Sequence, residues 1–358
     1  VFFHFFGTYA DERWYPSPLE AGYFSTFLSR CAPTGALGTL GCLAQGFLVA
    51  VSLVGFHAVA VFLVASGLSL AYSLAKTGDP DGGWAGWYRS RLLRLFPMYW
   101  LAHLVYLVSP FVARPEAIDH RFLLSLLGDR IYPVYSIFYY ANPAWWYFGL
   151  LLQLYLIFPL LFRLLQRVGP AWFLVICGLA TFTSRYLMLE VFPVHGYWVQ
   201  GAFFGARLWE FALGMALGLL YRRRPARADG LLFAGPSLLA GLLIYTAGLY
   251  SYANLLAYTL NDALIGTGLF IILVHLARGC ASLPRLGATL ALVGAYSYGI
   301  YLLHQPYVIY LGARMRALPE PLFVPLACAF VALFTMCVIP LERGVNRLVE
   351  RLMPAKRA

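Results

Sequence analysis

The chain of 358 residues is 61% hydrophobic, only 11% charged, and has a formal net charge of +11. A soluble globular domain carries roughly 25% charged residues, so one water-soluble core is excluded. The positive balance does not by itself point to nucleic acid, because its placement along the chain has another explanation.

The apolar residues come in runs of about twenty, enough for a helix to cross ~30 Å of hydrocarbon. Backbone groups in lipid must be satisfied within their own segment, so these runs read as helices. Barrel strands would alternate apolar with polar, and Leu150 to Leu161 does not. The fold class is therefore all-α, a polytopic transmembrane helical bundle.

Hydropathy places about ten spans, near residues 1–9 (partial), 53–75, 94–113, 145–167, 171–190, 202–221, 230–250, 257–277, 288–311 and 321–341. Because the chain begins at Val1 and its first apolar run is short, the N-terminus is read as truncated. Ala10 to Ser52 lies between the first two spans, and its mixed stretch Ala21 to Arg30 reads as an interfacial or re-entrant piece. Ala113 to Ala144 is similar. With the N-terminus in the cytoplasm, 17 of the 26 Lys and Arg residues fall on cytoplasmic positions, so both termini are expected there. The basic surplus then faces anionic membrane lipid, and no nucleic-acid partner is expected. There is no internal repeat and no long hydrophilic stretch. Residues 1–345 read as a single membrane domain and 346–358 as a basic cytoplasmic tail.

Cys177, Cys328 and Cys337 sit in apolar runs as small hydrophobes, and the cysteines lack metal-ligand spacing, so no metal is expected. Cys31 and Cys42 share a non-spanning segment in which a disulfide could form.

Polar groups at membrane depth are expensive, so each needs a structural partner or a task. His4 lies in Val1-Phe2-Phe3-His4-Phe5-Phe6, where burial keeps an imidazole neutral and able to accept a proton. It could equally be a histidine bonded to a neighbouring helix. In Ser66-Gly67 a small pair lets two helix backbones approach, and packing is the reading. Arg91 and Arg94 are three apart on one helix face at the cytoplasmic mouth of the third span. They could bind phosphates of a cytoplasmic anion, or anchor the span by snorkelling. Arg207 and Glu210 are also three apart, either a local brace or a site for a polar acceptor. Tyr301 and His304 share a face of the ninth span and could bond a polar substrate or each other. His57, His103 and His275 lie nearer span ends and read as structural or interfacial.

Taken in order, these segments resemble the acyltransferase 3 family of membrane O-acyltransferases over nearly the whole chain. The resemblance is carried by the early His4, by His57 to Gly67, which looks like the family's HAVDLFFVLSG stretch, and by Arg91-Leu92-Leu93-Arg94 followed by Pro97 and Tyr99. Trp146, Tyr155 and Pro159 match a W-x8-Y-x3-P pattern, and Arg207 to Gly214, Ser297 to Pro306 and Glu342 complete it. The resemblance implies His4 as catalytic base and Arg91 with Arg94 as contacts to an acyl-CoA donor, acetyl-CoA above all, with no permanently bound cofactor. Tyr155, Arg207, Glu210, Tyr301 and His304 are then candidates to meet the substrate. The acceptor would be a hydroxyl of an extracytoplasmic or cell-surface glycan or glycolipid, in a bacterial inner membrane. Two positions depart from the pattern: Leu151 and Ala60 stand where the family carries acidic residues. A carboxylate to orient His4 would then have to come from elsewhere, with Glu210 as a substitute. The rival readings are a multi-span secondary transporter of a small polar solute, and a scaffold that has lost catalysis.

Overall fold

The computed structural model describes residues 1–10, 22, 25, 29, 35–75, 80, 83–112, 116–193 and 196–352. Among these residues the regular structure is helical throughout, with no strand, in agreement with the all-α expectation. In chain order the helices are α1 (Phe2–Ala10), α2 (Gly35–Leu53), α3 (Ala58–Leu74), α4 (Gly83–Val108), α5 (His120–Leu126), α6 (Val134–Ile137), α7 (Trp146–Tyr186), α8 (Leu208–Arg223), α9 (Pro225–Phe233), α10 (Ser237–Tyr250), α11 (Leu255–Tyr258), α12 (Asn261–Ala281), α13 (Pro284–Ala295), α14 (Ser297–Arg314) and α15 (Glu320–Leu352).

Among the described residues, four helical stretches are long and apolar enough to cross a membrane: Gly55–Leu74, Pro143–Val191, Asn261–Ala281 and Leu322–Arg351. Two helix pairs bent at a short break, α9 with α10 and α13 with α14, raise the number to six if each pair is counted as one span. Both pairs fall on expected spans, near 230–250 and 288–311, that hydropathy alone reads as continuous. The bend between α9 and α10 is 62°. It follows Gly235-Pro236, where proline sets its own φ and offers no N–H. The break inside α7 does agree with the sequence reading. Gly169 has a φ of 78°, a left-handed value that glycine tolerates, and Pro170 follows it. Other helices on expected spans are shorter, such as α8 with 16 residues and α10 with 14.

Two further differences concern segments read as non-spanning. Most of Ala21 to Arg30 lies outside the described residues, but the later part of the Ala10 to Ser52 segment forms α2, a helix of 19 residues. The segment 117–145 is built around Arg130, whose guanidinium is buried and donates to the carbonyls of Ile137 (3.0 Å) and Tyr140 (2.8 Å) and to Ser125. In the same segment Arg121 holds the Asp119 carboxyl below the usual carboxylate range. Residues 346–352 of the expected basic tail continue α15, and 353–358 lie outside the described residues.

The chain forms two compact units, each drawn from separate stretches. The first comprises Val1–Phe56, Phe96–Glu116 and Leu292–Ala358, and the second His57–Leu95 and Ala117–Ala291. In the first, Phe5, Phe6 and Tyr9 of α1 pack with Val308 of α14 and Phe323 and Ala327 of α15. In the second, α3 and α8 meet backbone to backbone at glycines. A Cβ on Gly67 would strike the carbonyl oxygen of Phe211, and one on Gly214 that of Val64. Between lipid-soluble helices such close packing replaces the hydrophobic drive that water would supply. The packing reading of Ser66-Gly67 fits this contact.

Candidate functional site

In the first unit, α1 is pinned so that His4 meets α14. Tyr9 Oη donates to the Leu318 carbonyl (2.7 Å) and Arg316 Nε to the Thr8 carbonyl (3.0 Å). Gly312 of α14 keeps that surface low, since a Cβ there would lie 3.2 Å from the Phe5 carbonyl oxygen. With Phe5 and Phe6 turned into the core, half-buried His4 stands with its ring 5.3 Å from that of His304 and 4.9 Å from that of Phe3. Gln305 brings its side-chain amide to 3.4 Å from His4 Nδ1.

His304 is buried, and its Nδ1 lies 2.9 Å from the Tyr301 carbonyl and 3.1 Å from that of Ile300. Carbonyls only accept, so Nδ1 carries the proton and the Nε2 of a neutral His304 is a bare lone pair. The Tyr301 ring is 6.2 Å from that of His304. The start of α14 is fixed by Glu342 of α15, whose Oε2 accepts from the Gly299 N–H at 2.8 Å. A carboxylate at a helix N-terminus is favourably placed against the positive end of the helix dipole.

In the second unit, Arg91 and Arg94 lie on α4, with Arg91 half-buried and Arg94 exposed. The Arg91 guanidinium is 5.5 Å from the centre of the Trp87 ring. That indole stacks on Phe158 at 5.1 Å and lies 6.0 Å from Tyr155 of α7. Tyr155 is close enough to both arginines for electrostatic interaction. The Arg91–Arg94 pair and Tyr155, read apart from each other in the sequence, thus form one cluster, two cations backed by aromatic rings. Tyr147, hydrogen-bonded to Ser66, has Tyr155 and Arg207 as electrostatic neighbours.

Arg207 and Glu210 belong to a buried charge cluster whose other members sequence reading missed. Arg207 Nε lies 2.9 Å from Glu210 Oε1, and Arg207 Nη1 lies 2.5 Å from Asp262 Oδ1. The second Asp262 oxygen meets Arg185 Nη1 at 2.5 Å, and Arg185 Nη2 donates to the Tyr258 carbonyl at 2.9 Å. Asp262 therefore bridges two arginines from α7 and the start of α8. Removing one member of a buried ion cluster leaves uncompensated charge, at a cost of about 3–5 kcal/mol. Asp262→Ala is accordingly expected to lower the thermal midpoint in detergent sharply, while Asp229→Ala, on the exposed Tyr221 contact, leaves it near wild type.

His4, Tyr301 and His304 are thus brought together in one unit. Arg91, Arg94 and Tyr155 are together in the other, as are Arg207 and Glu210. His57 bonds the hydroxyls of Tyr245 (2.9 Å) and Tyr252 (3.2 Å), His103 the Tyr99 carbonyl (2.9 Å), and His275 the Ser237 hydroxyl (2.9 Å). Among the described residues no three His, Cys, Asp or Glu side chains gather as a metal site would require. The sequence model of the acyltransferase 3 family, described as an acyltransferase domain, matches residues 1–341. No curated protein and no solved structure matches the chain.

Proposed function

This chain belongs to the acyltransferase 3 family, and from that premise we propose that it moves an acyl group, acetyl above all, from cytoplasmic acyl-CoA to a hydroxyl of an extracytoplasmic or cell-surface glycan such as a polysaccharide or lipopolysaccharide. Membership and the apolar helices make it an integral membrane protein of acyltransferase type. The observation that carries the finer reading is the pairing of His4 with His304 among aromatic rings.

His4 takes the proton of the acceptor hydroxyl as its oxygen attacks the thioester carbonyl. The tetrahedral intermediate collapses with cleavage of the C–S bond, and the protonated His4 returns its proton to the CoA thiolate. The ester and free CoA leave with no change in oxidation state. The oxyanion needs hydrogen-bond donors, a task for which Tyr301, Tyr155 and His304 are the candidates. Arg207 and Glu210 serve the polar acceptor. The donor's phosphates engage Arg91 and Arg94, whose guanidinium groups suit paired hydrogen bonds.

The enzyme works with about ten spans and both termini in the cytoplasm of a bacterial inner membrane. Support for the sidedness comes from Cys42, which is disulfide-bonded. Disulfides persist on the oxidising side of such a membrane, which agrees with Cys42 lying on the extracytoplasmic side in the proposed topology. The pairing with Cys31 that the sequence allows involves a residue outside those described.

The test is donor saturation. Charge-assisted hydrogen bonds contribute about 1.5–3 kcal/mol each, so Arg91→Ala/Arg94→Ala should raise the KM for acetyl-CoA roughly tenfold or more with kcat little changed. An unchanged KM would make the two arginines lipid anchors.

A further inference from the structure

We infer that Gln305 is a positioning residue for His4: its side-chain oxygen receives the His4 Nδ1–H, so that Nε2 is the atom that takes the acceptor's proton. This deepens the proposed function and rests on it.

Gln305 follows His304 on α14 and is buried, and its amide end lies 3.4 Å from His4 Nδ1. Among the described residues it is the side chain hydrogen-bonded to that ring. Phe3 offers no acceptor atom, the Thr8 hydroxyl is spent on the His4 carbonyl (2.7 Å), and His304 directs its own Nδ1–H to backbone carbonyls. As drawn, the amide turns its nitrogen toward His4, and its buried Oε1 has no hydrogen-bond partner. The two ends of an amide exchange by a half-turn, and the chemistry of the neighbour decides between them.

For a base, that decision is forced. A neutral His4 receiving an amide N–H at Nδ1 would carry its own proton on Nε2, with no lone pair left there to take another. Once the ring is protonated both nitrogens donate, and an amide NH2 facing Nδ1 would oppose it. Only the oxygen end serves both states. It fixes the neutral tautomer as Nδ1–H and then accepts from the imidazolium. An amide achieves this without placing a second charge at membrane depth, where ionised groups are costly.

The experiment uses the full-length protein with ring-15N histidine, the His4 resonance being identified by its loss in His4→Ala. Wild type is expected to show the Nδ1–H tautomer. In Gln305→Leu the tautomer should shift toward Nε2–H, and kcat for acyl transfer should fall about tenfold or more while the KM for acetyl-CoA holds. Gln305→Glu should keep the Nδ1–H form and restore kcat to within a few-fold of wild type. An Nε2–H tautomer in wild type, or wild-type kcat in Gln305→Leu, would overturn the assignment. The tautomer is read without turnover. An Nδ1–H ring in a protein that transfers no acyl group would therefore sustain the Gln305 contact and sink the proposed reaction.

Discussion

Gly214→Leu is expected to damage the second unit severely, lowering stability by about 3 kcal/mol or more. Its Cβ would meet the Val64 carbonyl oxygen and lie 2.8 Å from the Leu68 nitrogen. Both are backbone atoms of α3, so no rotamer change relieves the clash, and the two helices must separate. Gly218, one turn on, meets the Leu68 carbonyl oxygen in the same way. Separation would also disturb Glu210, one turn before Gly214 on the same face of α8. Gly230 gives the control, since a Cβ there finds nothing within 4 Å. Thermal unfolding in detergent should show a large loss for Gly214→Leu and a midpoint near wild type for Gly230→Leu. Equal midpoints would mean that α3 and α8 do not pack this closely.

His4→Ala should cost about 10²- to 10⁴-fold in kcat, the range spanned by a general base. The fold should survive, because the residues that dock α1 are Phe5, Phe6 and Tyr9, and the His4 ring is half-buried with one side-chain hydrogen bond. Phe6→Ala makes the contrast. It removes a fully buried ring from the α1 face and should lower the thermal midpoint as well as turnover. Activity retained in a folded His4→Ala would remove the histidine from the chemistry.

Helix content was legible because a run of about twenty apolar residues has few other fates. The break in α7 was legible too, since Gly169-Pro170 interrupts the run with two residues that favour non-helical φ or lack an N–H. The break ahead of α14 was not, because the residues on either side stay apolar and hydropathy carries no record of backbone direction. The break ahead of α10 has the same kind of signal as α7, Gly235-Pro236, inside a run that hydropathy alone reads as continuous. The glycines at 214 and 218 have the four-residue spacing of close helix contacts, a signal present in the sequence and passed over in favour of Ser66-Gly67. Asp262 went unread for a different reason. An acidic residue in the first turn of a helix is ordinary, and nothing local marks it as the bridge between Arg185 and Arg207, which lie 77 and 55 positions earlier in the chain. Pair spacings of three found Arg91 with Arg94, and Arg207 with Glu210. They could not find Tyr155 beside the first pair or Gln305 beside His4, since those neighbours come from different helices.

The central claim, that the protein transfers an acyl group from acyl-CoA, is tested most directly with the purified full-length protein, radiolabelled acetyl-CoA and a mixed glycan extract, with His4→Ala run in parallel. Label entering glycan with wild type and absent with His4→Ala is the predicted result. No transfer from acetyl-CoA or any longer acyl-CoA would contradict it and turn attention to solute transport or a scaffold without catalysis.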